Sequence, residues 1–193
     1  MAKSLHIYLF RHGQTPFNRD KRFTGFHNPG LTLLGIKQSK ILAKKLKNKR
    51  FEIAFQTSLK RSQQTLKEVL KHHPECKIII EDNRITERNY GSLNGSKHQD
   101  YIKKHGLTAF NKVHRDFHTR PPKGESFADV EKRVSKFIQA LKLLVKKEKT
   151  NIAISAHGNS IRLFRKIMES VSQKETCSWK IPYDKVFEYK ISI

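Results

Sequence analysis

Apolar positions along the chain fall into short continuous runs separated by longer stretches with helical spacing. Leu5 to Phe10 is a mostly apolar run and predicts a first strand. A loop rich in Gly, Pro, Asn and Thr follows, from Arg11 to Leu31. Thr32 can cap a helix running to about Lys49, with Leu34, Ile41, Leu42 and Leu46 near one face. Phe51 to Gln56 predicts a second strand. Thr57 or Ser58 is placed to cap the next helix, which ends near His73, and Lys77 to Glu81 predicts a third strand.

Residues 82–125 carry turn and basic residues and Pro121-Pro122, and read as an excursion over the sheet edge with a short helix around 97–105. The clearest helix opens at Ser126, which forms a capping box with Asp129. Phe127, Val130, Val134, Phe137, Ile138, Leu141 and Val145 then follow a 3.6-residue period. Asn151 to Ala156 predicts a fourth strand, a helix runs from about Asn159 to Glu169, and Val186 to Ile191 predicts a last strand. Strands alternating with helices, without repeat or linker, predict one α/β domain over 1–193 with a largely parallel sheet.

The chain has 193 residues, 36% of them apolar, with 40 Lys+Arg against 17 Asp+Glu and a formal charge of +23. No apolar run approaches the roughly 20 residues that span a bilayer. The six mostly apolar residues before Arg11 are too few for a signal peptide. Cys76 and Cys177 make neither a disulfide framework nor a zinc knuckle. A cytoplasmic protein is expected. The charge suits nucleic acid, an anionic membrane or a small polyanion. Lys44-Lys45, Lys47, Lys49-Arg50 and Lys146-Lys147 are candidate patches, but Lys44 to Arg50 has no interleaved aromatic for base stacking. They read as solvated helix faces, so neither a specific nucleic acid nor a membrane is expected as partner.

Two segments share one pattern, an apolar strand, then His-Gly, then a turn: Tyr8 to Gly13 and Ile154 to Asn159. In an open α/β sheet the ligand crevice lies beyond the carboxyl ends of the strands. If the two strands are parallel neighbours, His12 and His157 converge there. The following glycines, Gly13 and Gly158, would let the backbone approach a bound group. The helix starting at Asn159 offers free N–H groups to an anion. Arg11 adjoins His12, and Arg61 lies in the first turn of the helix after the second strand. Two histidines and two arginines suit a tetrahedral dianion, and a neutral imidazole can carry a phosphoryl group covalently. The pairs His114/His118 and His72/His73 come without a carboxylate cluster, so no metal is expected.

Leu9-Phe10-Arg11-His12-Gly13-Gln14-Thr15 resembles the signature of the histidine phosphatase superfamily. Asn18 with Arg22-Phe23-Thr24-Gly25 resembles its phosphate loop. Thr57 to Thr65 resembles the segment of the second phosphate arginine, and Ser155 to Arg162 the second histidine motif. Ile85-Thr86-Glu87-Arg88-Asn89-Tyr90-Gly91-Ser92-Leu93-Asn94-Gly95 is similar to the pattern of the cofactor-dependent phosphoglycerate mutases, as is His114-Arg115-Asp116-Phe117 followed by Pro121 to Ser126.

The resemblance implies a three-layer sandwich, a largely parallel sheet flanked by helices, with the 82–125 excursion covering the site. It makes His12 the phosphorylated nucleophile, clamped by Arg11, Arg61 and His157 with the Gly158 N–H. It makes Glu87 the acid/base. Asn18, Thr24 and Gly25 would add phosphate donors. Arg88, Tyr90, Lys97, His114, Arg115 and Asn159 would hold the rest of the substrate. The implied reaction is interconversion of 3- and 2-phosphoglycerate in glycolysis and gluconeogenesis, primed by 2,3-bisphosphoglycerate. The chain departs from the mutase pattern in being short over 95–125. His98 stands where a lysine is expected, with Lys97 one residue early, and His114 stands for an arginine. A phosphatase acting on a small phosphoester through the same His12 is the alternative, and a basic nucleic-acid-binding protein a distant one. A monomer or small homo-oligomer is expected.

Overall fold

The structure is a computed structural model and describes residues 4–192. Five strands, β1 (Ser4–Arg11), β2 (Ile53–Gln56), β3 (Ile78–Glu81), β4 (Ile152–Ala156) and β5 (Val186–Ser192), form one sheet in the order β3-β2-β4-β1-β5. The first four are parallel, and β5 runs antiparallel along β1. Alternation along β1 builds two cores. Leu5, Ile7 and Leu9 face one side with α5 (Phe127–Glu148) and α6 (Gly158–Glu169). Tyr8 and Phe10 face the other with α2 (Leu33–Leu46) and α3 (Lys60–Leu70). The result is the expected three-layer sandwich. β4, at the centre, is buried at all five positions.

All seven periodic positions from Phe127 to Val145 are buried, and Ser126 and Asp129 close the expected capping box. α2 is capped by Thr32 as expected but lies rolled and ends at Leu46. Its buried stripe is Gly35, Ser39, Leu42, Ala43 and Leu46, whereas Leu34 and Ile41 are exposed. The cause is a backbone contact: a Cβ on Gly35 would lie 2.2 Å from the Gln14 carbonyl oxygen. The helix seats its glycine on the loop after β1, and that turns the two larger residues outward.

Neither Thr57 nor Ser58 caps α3. Leu59 takes the N-cap place without a side-chain bond, while the Ser58 hydroxyl donates to Asn83 Oδ1 at 2.9 Å. The 82–125 excursion holds two single 3₁₀ turns and a longer helix than expected, α4 (His98–Arg115), broken at Gly106. Two short helices were not expected from the pattern, α1 (Pro16–Arg19) and α7 (Gln173–Ser178). Among the described residues no helix is long and apolar enough to cross a membrane. The basic patch on and after α2 is exposed at Lys44, Lys45, Lys47, Lys49 and Arg50.

Candidate active site

Arg11 and Ala156 are register partners across β1 and β4, and the His12 N–H donates to the Ala156 carbonyl at 3.0 Å. His12 and His157 therefore leave the sheet side by side, ring centroids 5.0 Å apart, both almost wholly buried. Of the glycines after them, Gly13 differs from expectation. A Cβ on Gly13 would meet the Gly35 carbonyl oxygen at 2.2 Å, so this glycine admits α2 rather than a ligand. Gly158 opens α6 and lies against the Arg11 guanidinium, 3.5 Å from where its Cβ would be.

Hydrogen bonding separates the two imidazoles. A neutral ring carries one N–H. His12 Nδ1 lies 2.7 Å from the Gly13 carbonyl oxygen, which can only accept, so Nδ1 holds the proton and Nε2 keeps its lone pair. His157 is arranged the other way. The Arg61 Nε–H donates to His157 Nδ1 at 3.3 Å, so the ring proton sits on Nε2 and is donated to Thr57 Oγ1 at 2.9 Å. Burial, then Arg61 and Arg11, hold the His12 pKa well below the usual value. Burial, then Arg61 and His12, do the same for His157. Both rings are neutral at pH 7, and His12 Nε2 is the one left free to attack phosphorus.

Thr57 was read as a helix cap, and its link to His157 spans 100 positions of sequence. Thr57→Val is expected to lower kcat about tenfold, the worth of one net hydrogen bond. KM should hold, and Thr57→Ser should restore the rate. Equal loss in the valine and serine variants would show that Thr57 only fills space.

Arg61 is fully buried, with N–H groups donated to the carbonyls of His27 (2.7 Å) and Gly25 (2.9 Å) as well as to His157. Burial lowers its pKa to about 10, which leaves it charged. Gly25 has φ +47°, and a Cβ there would lie 1.9 Å from Asn94 Oδ1, so the loop shape that feeds Arg61 requires glycine. Arg11 donates to the Ile181 carbonyl at 2.7 Å and stacks on the Tyr183 ring, while its buried Nε has no partner among the described residues. An orphan cationic donor beside His12 fits an anion that completes the site.

The buried Glu87 accepts at Oε1 from the backbone N–H of Arg88 (2.8 Å) and of Asn159 (3.1 Å), the latter in the first turn of α6. The helix N-terminus favours its negative charge. Oε2 is left for a proton or a substrate hydroxyl. Neither Arg84 nor Arg88 pairs with this carboxylate: Arg84 pairs with Asp82. One donor atom each from His12, Glu87 and His157 lies within 4.8 Å of the others, a spacing that could hold a cation. Arg11 and Arg61 set a positive field there, which suits an anion instead.

Beside this cluster opens a cavity of about 410 Å³. Of the expected residues, Arg11, Asn18, Thr24, Gly25, Glu87, Tyr90, His114, Arg115, Gly158 and Asn159 line it. Two do not. Arg88 is fully buried and donates to the carbonyls of Glu125, Val113 and Thr119, so it braces the excursion from within. Lys97 is exposed at the N-cap of α4, bridged through its backbone to Arg22. Lys21, Arg22, His98, Arg162, Lys180 and Tyr183 line the cavity without having been singled out as site residues. Arg162 was reachable, because it stands four residues after Gly158 on one helix and shares its face. It donates to Asn159 Oδ1 (2.5 Å) and the Trp179 carbonyl (2.7 Å), and burial lowers its pKa to about 10. Six cationic side chains thus line the cavity with one carboxylate, Glu87.

Residues 7–191 match the family described as the histidine phosphatase superfamily (branch 1). The chain is 35% identical to a phosphoglycerate mutase of Schizosaccharomyces pombe, over 81% of this chain and 75% of that one. It is 31% identical to a 2,3-bisphosphoglycerate-dependent phosphoglycerate mutase of Bartonella henselae, over 91% and 86%. Its fold is shared by a phosphoglycerate mutase of Bacillus anthracis, with a TM-score of 0.83 and 20% identity over 99% and 89% of the chains. A mycobacterial glucosyl-3-phosphoglycerate phosphatase, solved with VO3, shares it at a TM-score of 0.81 and 19% identity, over 96% and 97%.

Proposed function

The chain belongs to the histidine phosphatase superfamily (branch 1), and on that footing we propose that it is a phosphoglycerate mutase interconverting 3- and 2-phosphoglycerate. The observation that carries this reading is the spread of cations. Arg11 and Arg61 flank His12, and Arg115, Arg162, Lys21 and Lys180 continue the positive lining along the cavity. A mutase must keep and turn a ligand that is anionic at both ends, whereas hydrolysis needs cations only around the transferred group.

The cycle starts with the phosphoryl group on His12 Nε2, placed there from 2,3-bisphosphoglycerate. Glu87 takes the proton of the substrate 2-hydroxyl, whose oxygen attacks phosphorus as the N–P bond breaks. The bisphosphorylated ligand turns in the cavity. His12 Nε2 then attacks the other phosphorus, the P–O bond breaks, and Glu87 returns its proton to the leaving oxygen. Arg11, Arg61 and the Gly158 N–H stabilise the charge on the transferred oxygens, joined by the His157 Nε2–H as it passes from Thr57 Oγ1 to the ligand. Asn18, Thr24 and Gly25 border that end. Tyr90, Asn159, His114 and Arg115 border the rest of the ligand. No step requires a metal. We place the reaction in glycolysis and gluconeogenesis in the cytoplasm.

Arg115→Ala tests the reading. It is expected to raise the requirement for 2,3-bisphosphoglycerate about tenfold or more, the scale of a lost charge-assisted hydrogen bond. Hydrolysis of a small aryl phosphate should change little. Equal losses on the two substrates would remove Arg115 from the distal end. Steady release of inorganic phosphate from 3-phosphoglycerate without isomerisation would make the enzyme a phosphatase.

A further inference from the structure

One wall of the cavity is built from rings. His98 opens α4 and His114 nearly closes it. In a straight helix the two would stand about 24 Å apart. The break at Gly106 (φ 83°, ψ 162°) folds α4 back, and the two imidazoles meet with centroids 5.1 Å apart. Phe23 and Phe110 pack against both, and Tyr90 against His114. Among the described residues neither ring has a hydrogen-bonding partner, and both line the cavity.

The charged groups acting on this pair come from four segments: Arg115 from α4 itself, Lys21 just after α1, Arg162 from α6 and Arg88 from the excursion. All are cations. His12 answers to a different set, Arg61 and Arg11. The pair thus belongs to a second electrostatic neighbourhood of the same cavity.

We infer that His98 and His114 are a proton-taking grip for the distal anionic group of the substrate, neutral in the free enzyme and charged by one proton from solvent when that group seats. The inference rests on the mutase reading for the identity of the two-ended anion. Burial, then Arg115 and Lys21, lower the His98 pKa to about 4; burial, then Arg115, lower His114 to about 2. A unit negative charge at about 4 Å, at an effective dielectric of about 20, raises a titration by about three pH units. A phosphate dianion carries nearly two such charges. That is enough to bring His98, the closer of the two to neutrality, across pH 7. No bond other than N–H forms. Because binding takes up a proton, affinity rises as pH falls, about tenfold per pH unit for one proton. A neutral substrate end draws no proton and gains nothing, so the pair selects ligands anionic at both ends.

The test is calorimetric titration of 2,3-bisphosphoglycerate into the full-length His12→Ala chain, which cannot consume it, at pH 7.5 in two buffers of different ionisation enthalpy. Uptake of close to one proton per site is expected. It should be lost in His12→Ala/His98→Gln, with at least tenfold weaker binding. His12→Ala/His114→Gln supplies a second variant should the first fail to fold. Tight binding with no buffer dependence overturns the inference and leaves the mutase reading standing, as does uptake that survives both glutamine variants. Failure of the bisphosphate to bind the His12→Ala chain at millimolar concentration overturns both.

Discussion

His12→Ala is expected to abolish phosphoryl transfer, with a loss of roughly 10⁴-fold or more in kcat. His157→Ala is expected to lose about 10²–10³-fold, the scale of one donor to the transferred oxygens. It should still accumulate phosphoryl enzyme. The two histidines follow similar strands and lie 5.0 Å apart, so proximity does not explain the difference. Wiring does: the His157 Nδ1 lone pair is covered by Arg61, and among the described residues nothing covers the His12 Nε2 lone pair. Quenching after mixing with labelled 2,3-bisphosphoglycerate should show acid-labile, base-stable label in the His157→Ala protein and none in His12→Ala. Stable labelling of His12→Ala would move the nucleophile elsewhere and overturn the reading. His12 is also neutral well below pH 6.5, so acidification to pH 6 should not slow the enzyme through this residue.

Glu87→Gln is expected to lower kcat on phosphoglycerate by about 10²–10⁴-fold, the usual worth of a placed general acid/base. A glutamine carbonyl oxygen can still accept from the Arg88 and Asn159 N–H groups, so the local fold and ligand binding should hold within a few-fold. The leaving group discriminates. A nitrophenolate departs without a proton, so aryl phosphate turnover should suffer much less than phosphoglycerate turnover. Equal losses on both would leave Glu87 as a structural carboxylate and not a proton carrier.

What the sequence revealed of this fold follows the range of the interaction involved. The seven buried positions of α5 and its Ser126–Asp129 box are local matters of helical period and capping, and they were legible. The roll of α2 was not, because it is set by Gly35 meeting the backbone of Gln14 across a loop. Thr57 was misread for the same reason. A threonine at the end of a strand and just before a helix satisfies the local rule for a cap, and its true partner is 100 residues away.

The chemistry divides likewise. The histidines, Arg11, Arg61 and Glu87 stand in dense motifs, and the parallel register of β1, β2 and β4 brings their segments to one sheet edge. The distal wall depends on where α4 breaks, which a single glycine among helix-forming residues leaves open. Arg88 and Lys97 were placed in the cavity by motif, and one was drawn inward by three backbone carbonyls while the other stayed in solvent. Arg162, fixed by the face of α6, joined the lining in their stead.

The central claim is that the phosphoryl group on His12 returns to a phosphoglycerate rather than to water. The direct test is a single-turnover chase. Enzyme phosphorylated with labelled 2,3-bisphosphoglycerate is freed of excess ligand, mixed with 3-phosphoglycerate, and quenched over milliseconds to seconds. The account predicts that label leaves the protein at the rate of turnover and appears in 2,3-bisphosphoglycerate and 2-phosphoglycerate. Label appearing as inorganic phosphate, at a rate indifferent to 3-phosphoglycerate, would contradict it.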